Sequence, residues 1–193
     1  MYVRPFGGIA ELGGTAYQPE RLEMMKRAMS GTESRSAWKA NIYRRVGIVC
    51  RELDGIYEYK KRENERIALV FDGKIEEREK LCATLTLDDC PDDGGLIIAA
   101  YSLLGENFLS HVKGRLALAL YDEARGYMTV AVKGEGLVLF YSLVEDSLVF
   151  STSISGLCGA RGGPLYDVLD TVKVLTDGTA LNASFGRCER VSF

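Results

Sequence analysis

The segment Gly114–Asp122, which reads Gly-Arg-Leu-Ala-Leu-Ala-Leu-Tyr-Asp, constrains this chain more than any other. Its centre, Leu116-Ala117-Leu118-Ala119-Leu120, is apolar at every position, so a strand formed there has no face to give to water. Such a strand has to lie between a second sheet and a layer of helices. The segments behind it, Tyr127–Lys133, Leu137–Leu143 and Leu148–Thr152, are separated by the turns Glu123–Gly126 and Gly134–Gly136 and predict an antiparallel meander.

The front of the chain supplies further strands and the helices. Phe6–Leu12 predicts a short strand closed by Gly13-Gly14, and Pro19 opens an amphipathic helix through Leu22, Met25 and Met29 that ends at Ser30-Gly31. Ala37–Cys50 alternates and predicts a strand, followed by Tyr57–Lys61 and Arg66–Phe71 around the charged tip Lys60–Glu65. Glu76–Leu85 has helical spacing, and Asp92-Asp93-Gly94-Gly95 opens a second helix that runs to Leu104. Blocks of strands with grouped helices predict an α+β fold, a four-layer α-β-β-α sandwich of two mainly antiparallel sheets in one domain over residues 1–193.

Composition removes several classes of function. Lys+Arg 24 against Asp+Glu 27 gives a net charge of −3, which offers no basic surface for nucleic acid. The longest uncharged apolar stretch, Gly94 to Gly105, is too short to span a bilayer, which takes about 20 residues, and the first residues do not read as a signal peptide; a cytoplasmic location is expected. The five cysteines, Cys50, Cys82, Cys90, Cys158 and Cys188, form no C-x-x-C pair and are expected to be free, mostly buried thiols, with no metal site. His111, the one histidine, falls in a helix-to-strand link and is not expected to be catalytic. Gly134-Glu135-Gly136 lies between two strands rather than between a strand and a helix, so it is not a phosphate loop, and no cofactor is expected.

A set of motifs in order along the chain resembles the class II glutamine amidotransferase domain, the N-terminal-nucleophile (Ntn) hydrolase fold found at the front of asparagine synthetases. Phe6-Gly7-Gly8-Ile9-Ala10 resembles its opening Met-Cys-Gly-Ile-Ala, and Tyr43–Ile48 resembles His-Arg-Arg-Leu-Ser-Ile. Leu69–Ile75 resembles its Val-Phe-Asn-Gly-Glu-Ile turn, and Asp93 with Ile97–Tyr101 and Gly105 resembles its Ser-Asp-Thr-Glu helix start. Gly114–Asp122 is similar to Gly-Arg-Phe-Ala-Phe-Ala-Leu-Trp-Asp, and Phe140-Tyr141-Ser142, Leu148–Leu157 and Thr176–Thr179 continue the series.

The resemblance implies a glutaminase whose N-terminal cysteine, assisted by its own α-amine, attacks the substrate amide. Here Gly7 occupies the nucleophile position, with Met1–Phe6 in front of it. The family's Asn-Gly oxyanion turn reads Asp72-Gly73; an ionised Asp72 offers only acceptors, although the Gly73 backbone donor remains. Lys74 replaces a substrate-binding glutamate and would repel the ammonium group of glutamine, while Val132–Gly136 and Ser153 replace other family motifs. Arg45 matches the arginine that clamps the substrate α-carboxylate, and Asp93 matches the aspartate that binds its α-amine. Each also has a simpler reading, Arg45 as a solvated strand side chain and Asp93 as a helix N-cap.

Three expectations follow. The first is a catalytically silent amidotransferase-like domain that acts as a binding or regulatory partner, toward a separate synthetase-type protein or copies of itself. The second is a sensor that holds glutamine or another amino acid through Arg45 and Asp93. The third is an amide hydrolase with a relocated nucleophile, Cys50 or Thr15. The chain is expected to lack the ATP-pyrophosphatase domain that follows in asparagine synthetases.

Overall fold

The structure, a computed structural model, describes residues 5–13, 18–31, 37–51, 56–62, 65–162, 168 and 170–193. Two six-stranded antiparallel sheets are stacked between helices. In chain order the elements are β1 (Phe6–Glu11), α1 (Pro19–Ser30), β2 (Trp38–Ile42), β3 (Val46–Arg51), β4 (Tyr57–Arg62) and β5 (Glu65–Ile75). Helices α2 (Arg78–Thr84), α3 (Asp93–Leu104) and α4 (Phe108–His111) follow. Then come β6 (Gly114–Asp122), β7 (Tyr127–Lys133), β8 (Leu139–Val144), β9 (Ser147–Ser151), α5 (Ile154–Arg161), β10 (Lys173–Leu175), β11 (Thr179–Ser184) and β12 (Arg187–Ser192). One sheet has the order β10-β8-β9-β1-β3-β2 and the other β12-β11-β7-β6-β5-β4.

The four layers follow from the two-residue period of the strands. On β6, Leu116, Leu118 and Leu120 pack with Leu96, Ile97, Tyr101 and Phe108 of the α2–α4 layer. The intervening Ala117, Ala119 and Tyr121 join the core between the sheets, with Ile48, Phe150 and Val130. The first sheet does the same on its side, placing Ile9, Val49 and Val149 against Leu22 and Met25 of α1 and Leu157 of α5. Each large side chain buried in this way stabilises the fold by about 1.5–3 kcal/mol.

Four details differ from the sequence expectations. The alternating run Ala37–Cys50 is two strands, because Tyr43–Arg45 form a tight turn in which Tyr43 N donates to Val46 O at 2.7 Å. The turn Gly134–Gly136 does not close a hairpin; it carries the chain from β7 in one sheet to β8 in the other. The α3 N-cap is Asp92, whose carboxylate accepts from Gly95 N at 2.8 Å, and not Asp93. Cys82 and Cys90 are joined in a disulfide between α2 and the segment leading to α3, while Cys50, Cys158 and Cys188 form none. No helix among the described residues is long and apolar enough to cross a membrane.

Candidate functional site

Gly7 lies near the start of β1, paired on both sides, with Val49 of β3 and Ser151 of β9. Alternation turns its missing side chain toward α1 rather than toward the space between the sheets. A Cβ there would stand 2.9 Å from Phe150 O, 3.0 Å from Met25 Sδ and 3.2 Å from Ser151 Cβ. The preceding Phe6 is held in the same ladder, with Phe6 N donating to Thr152 Oγ1 at 3.0 Å and Phe6 O accepting from Thr152 N at 2.9 Å. Its ring is 1% exposed and fills part of the inter-sheet core. At position 7, therefore, the backbone nitrogen is a peptide N–H inside a strand.

Asp72 and Gly73 sit at the same end of the sandwich, on β5 opposite Ala117 and Leu116 of β6. Asp72 is buried, and by alternation it faces the other sheet. Gly73 has φ +126°, and a Cβ on it would collide with the carbonyl oxygen of Arg115. Only glycine avoids both the positive φ and the collision, so Gly73 is fixed by the way β5 and β6 approach each other. Lys74 is exposed and lies directly across from Arg115.

Asp93 is at the first turn of α3, and its carboxylate is engaged within the fold. One oxygen accepts from Ile75 N at 3.1 Å and the other lies 3.2 Å from Arg78 Nε. The aspartate thus ties α2, α3 and the end of β5 together.

Arg45 stands elsewhere. Its carbonyl accepts from Glu11 N at 2.9 Å, at the far end of β1 from Gly7, about 13 Å along the strand. Its guanidinium lies 4.8 Å from the centre of the Phe185 ring, at the β11–β12 turn, and shares a cavity with Tyr121. Tyr121 pairs with Ala68, whereas Asp93 is bonded to Ile75, and the stretch of β5 between Ala68 and Ile75 spans roughly 20 Å or more. Arg45 and Asp93 occupy opposite ends of the molecule and cannot hold the two charged groups of one amino acid. The arginine of β3 at the Gly7 end is Arg51, next to Cys50, which pairs with Phe6. Its signal in the sequence was position: in an antiparallel hairpin the turn residue Arg45 and the strand-end residue Arg51 must point to opposite ends.

Cys50 is fully buried in the inter-sheet core, where no substrate reaches it. Thr15 lies outside the described residues. His111 is exposed at the end of α4. Ser153 caps α5, its hydroxyl accepting from Gly156 N at 3.3 Å. Among the described residues no group of three or more His, Cys, Asp or Glu is arranged to hold a metal ion.

The glutamine amidotransferase domain family matches residues 54–159, a span that includes Asp72, Gly73 and Asp93 and leaves out Gly7 and Arg45. No curated protein sequence gives a significant match. Among solved structures, the glutamine phosphoribosylpyrophosphate amidotransferase of B. subtilis, complexed with ADP and GMP, is similar with a TM-score of 0.65 at 15% identity, over 97% of this chain and 49% of that one. The allosteric regulatory enzyme of purine biosynthesis is similar with a TM-score of 0.60 at 15% identity, over 98% and 43%. At this identity the likeness is one of fold, and the chain spans about half the length of these two proteins or less.

Proposed function

The chain belongs to the glutamine amidotransferase domain family, and on that premise we propose that it is an amidotransferase-fold domain without glutaminase activity that acts by binding, as a partner of a separate synthetase-type protein or of its own copies. The observation that carries this reading is Gly7. At the position that the sequence resemblance sets against the family nucleophile there is no side chain, and the backbone around it leaves less than van der Waals clearance for one. The amine that serves as base in such enzymes is here a peptide nitrogen flanked by two strands. By the same resemblance, Asp72 puts a buried carboxyl group where the family has an amide donor, and Lys74 puts a cation where the family has a glutamate.

The sensor reading and the Cys50 version of the hydrolase reading lose their support. A sensor built on Arg45 and Asp93 requires groups that stand roughly 20 Å apart. A hydrolase built on Cys50 requires access to a side chain that is 0% exposed.

Glutamate release from glutamine by the purified, mass-verified chain tests the proposal. No release above a mock preparation is the expected result. Release that scales with protein and persists through a second purification would overturn it.

A further inference from the structure

The end of the sandwich remote from Gly7 holds a cavity of about 350 Å³, and its lining is unusual for a chain of net charge −3. Arg44, Arg45 and Arg125 border it, together with Glu11, Glu123 and Phe185. The two carboxylates are committed elsewhere: Glu11 lies 3.5 Å from Arg21 and accepts from the Ser147 hydroxyl at 2.6 Å, and Glu123 lies 3.7 Å from Arg66. Arg125 is 3.6 Å from Asp122. Among the described residues Arg44 and Arg45 have no carboxylate partner, so the cavity carries an uncompensated positive charge.

The geometry turns that charge into a site. The Arg45 guanidinium carbon lies 4.8 Å from the centre of the Phe185 ring, and Phe185, 65% exposed, forms an apolar wall of the cavity. Three backbone elements fix the rim: Glu11 N donates to Arg45 O at 2.9 Å, and Gly186 N donates to Leu12 O at 2.6 Å, so the β1 end, the β2–β3 turn and the β11–β12 turn are tied together. Tyr121 is buried at the cavity wall; burial raises its phenol pKa first, Glu123 adds to this, and the fields of Arg44 and Arg45 oppose it. Guanidinium pairs favour planar or tetrahedral oxyanions, and an aromatic wall favours a ligand with a ring or other apolar body.

We propose that this cavity binds a small organic anion, a carboxylate or phosphate ester carrying an aromatic or apolar group. The site is independent of the glutaminase question, because it lies at the other end of the fold and uses none of Gly7, Asp72, Gly73 or Asp93.

Titration calorimetry of the full chain at low ionic strength tests it with three probes: phenyl phosphate, benzoate and inorganic phosphate. Saturable one-to-one binding of phenyl phosphate or benzoate is expected, and the tighter of the two identifies the oxyanion. Inorganic phosphate should bind at least tenfold more weakly than phenyl phosphate; equal binding would overturn the part of the proposal that gives Phe185 a role. Arg44→Gln and Arg45→Gln should each weaken binding about tenfold with an unchanged melting temperature, and Lys113→Gln, at the remote end, should leave it intact. Absence of saturable binding by both organic probes, or equal losses in the Lys113 variant, would overturn the site. Should Arg45→Gln disturb folding, exposed Arg44 alone decides.

Discussion

The backbone N–H of Ile75 donates to Asp93 Oδ2 at 3.1 Å, closing the end of β5 onto the first turn of α3. In the sequence, Asp93 read as a ligand for a substrate amine or as a helix cap. The structure gives the cap to Asp92 and gives Asp93 to the fold.

Asp93→Ala should therefore lower stability even with no ligand present. It strands the Ile75 donor and removes the partner of Arg78, losses of about 1–3 kcal/mol together at a half-buried corner. Urea unfolding of wild type and variant measures this. A variant as stable as wild type would return Asp93 to the list of groups held ready for a ligand.

Gly73→Ala should be worse, by about 3 kcal/mol or more, because the new Cβ meets both a φ of +126° and the Arg115 carbonyl. Gly126→Ala is the matched control: its φ is +60° and nothing lies within 4 Å of the added Cβ, so a loss of about 1 kcal/mol is expected from backbone conformation alone. Comparable losses in the two variants would mean that the strand pinch at Gly73 contributes little.

Gly7→Cys introduces the residue type that the resemblance implies at this position, and on the proposed reading it should not introduce the chemistry. The thiol carrier would press on Phe150 O and Met25 Sδ, at a destabilisation of about 1–3 kcal/mol for an overpacked site. The expected outcome is a lower melting temperature with no glutamate release. Glutaminase activity in this variant would indicate that the remaining site is intact and that Gly7 alone silences it.

Much of this fold was legible because two-residue periodicity and burial agree. Leu116–Leu120 read as a strand covered on both faces, and the structure divides it, leucines to the helices and alanines to the facing sheet. Periodicity carries no information on which sheet a strand joins, so the Gly134–Gly136 crossover looked like a hairpin turn. Alternation breaks at Ile42-Tyr43 and Arg44-Arg45, and reading one strand across that break hid the reversal there and with it the end of the molecule that Arg45 serves. Neighbouring Asp92 and Asp93 are chemically equal in the sequence; only the direction of the chain entering α3 decides which of them caps. The Cys82–Cys90 pair was invisible for a similar reason, since the turn after α2 that brings the two together has no motif of its own.

Alkaline pH should destabilise this domain through its buried tyrosines. Tyr101 donates to Asp122 Oδ2 at 3.0 Å, and burial first, then the Asp122 charge, raise its pKa above the ordinary 10.0. Burial likewise pushes Tyr127 up to about 12. A raised folded-state pKa means that the stabilisation is complete below the unfolded value of 10.0 and is lost as pH climbs from there through the folded value. Melting temperatures should hold to about pH 10 as far as the tyrosines are concerned and then fall through pH 12. Tyr101→Phe should start lower by about 1–3 kcal/mol, because it removes the Asp122 hydrogen bond, and should then fall less steeply. Parallel curves would exclude Tyr101 as a source of the alkaline loss.

The Cys82–Cys90 disulfide acts on one corner of the fold. Cys82 and Cys90 are eight residues apart, and closing so short a loop restricts the unfolded chain by about 2–3 kcal/mol on the loop-entropy account. In the native state the bridge pins the link from α2 to the Asp92–Asp93 corner, so its removal should loosen the anchor of Ile75 before it affects the distant Arg45 cavity. Reductant should lower the melting temperature of wild type to that of Cys90→Ser, an exposed position where the substitution disturbs little packing. Hydrogen exchange should then rise at Ile75 and in the first turn of α3 while the amides of Glu11 and Gly186 at the cavity rim stay protected. Loss of protection at both ends together would mean that the sandwich opens as one unit and that the bridge stabilises the whole domain rather than its corner.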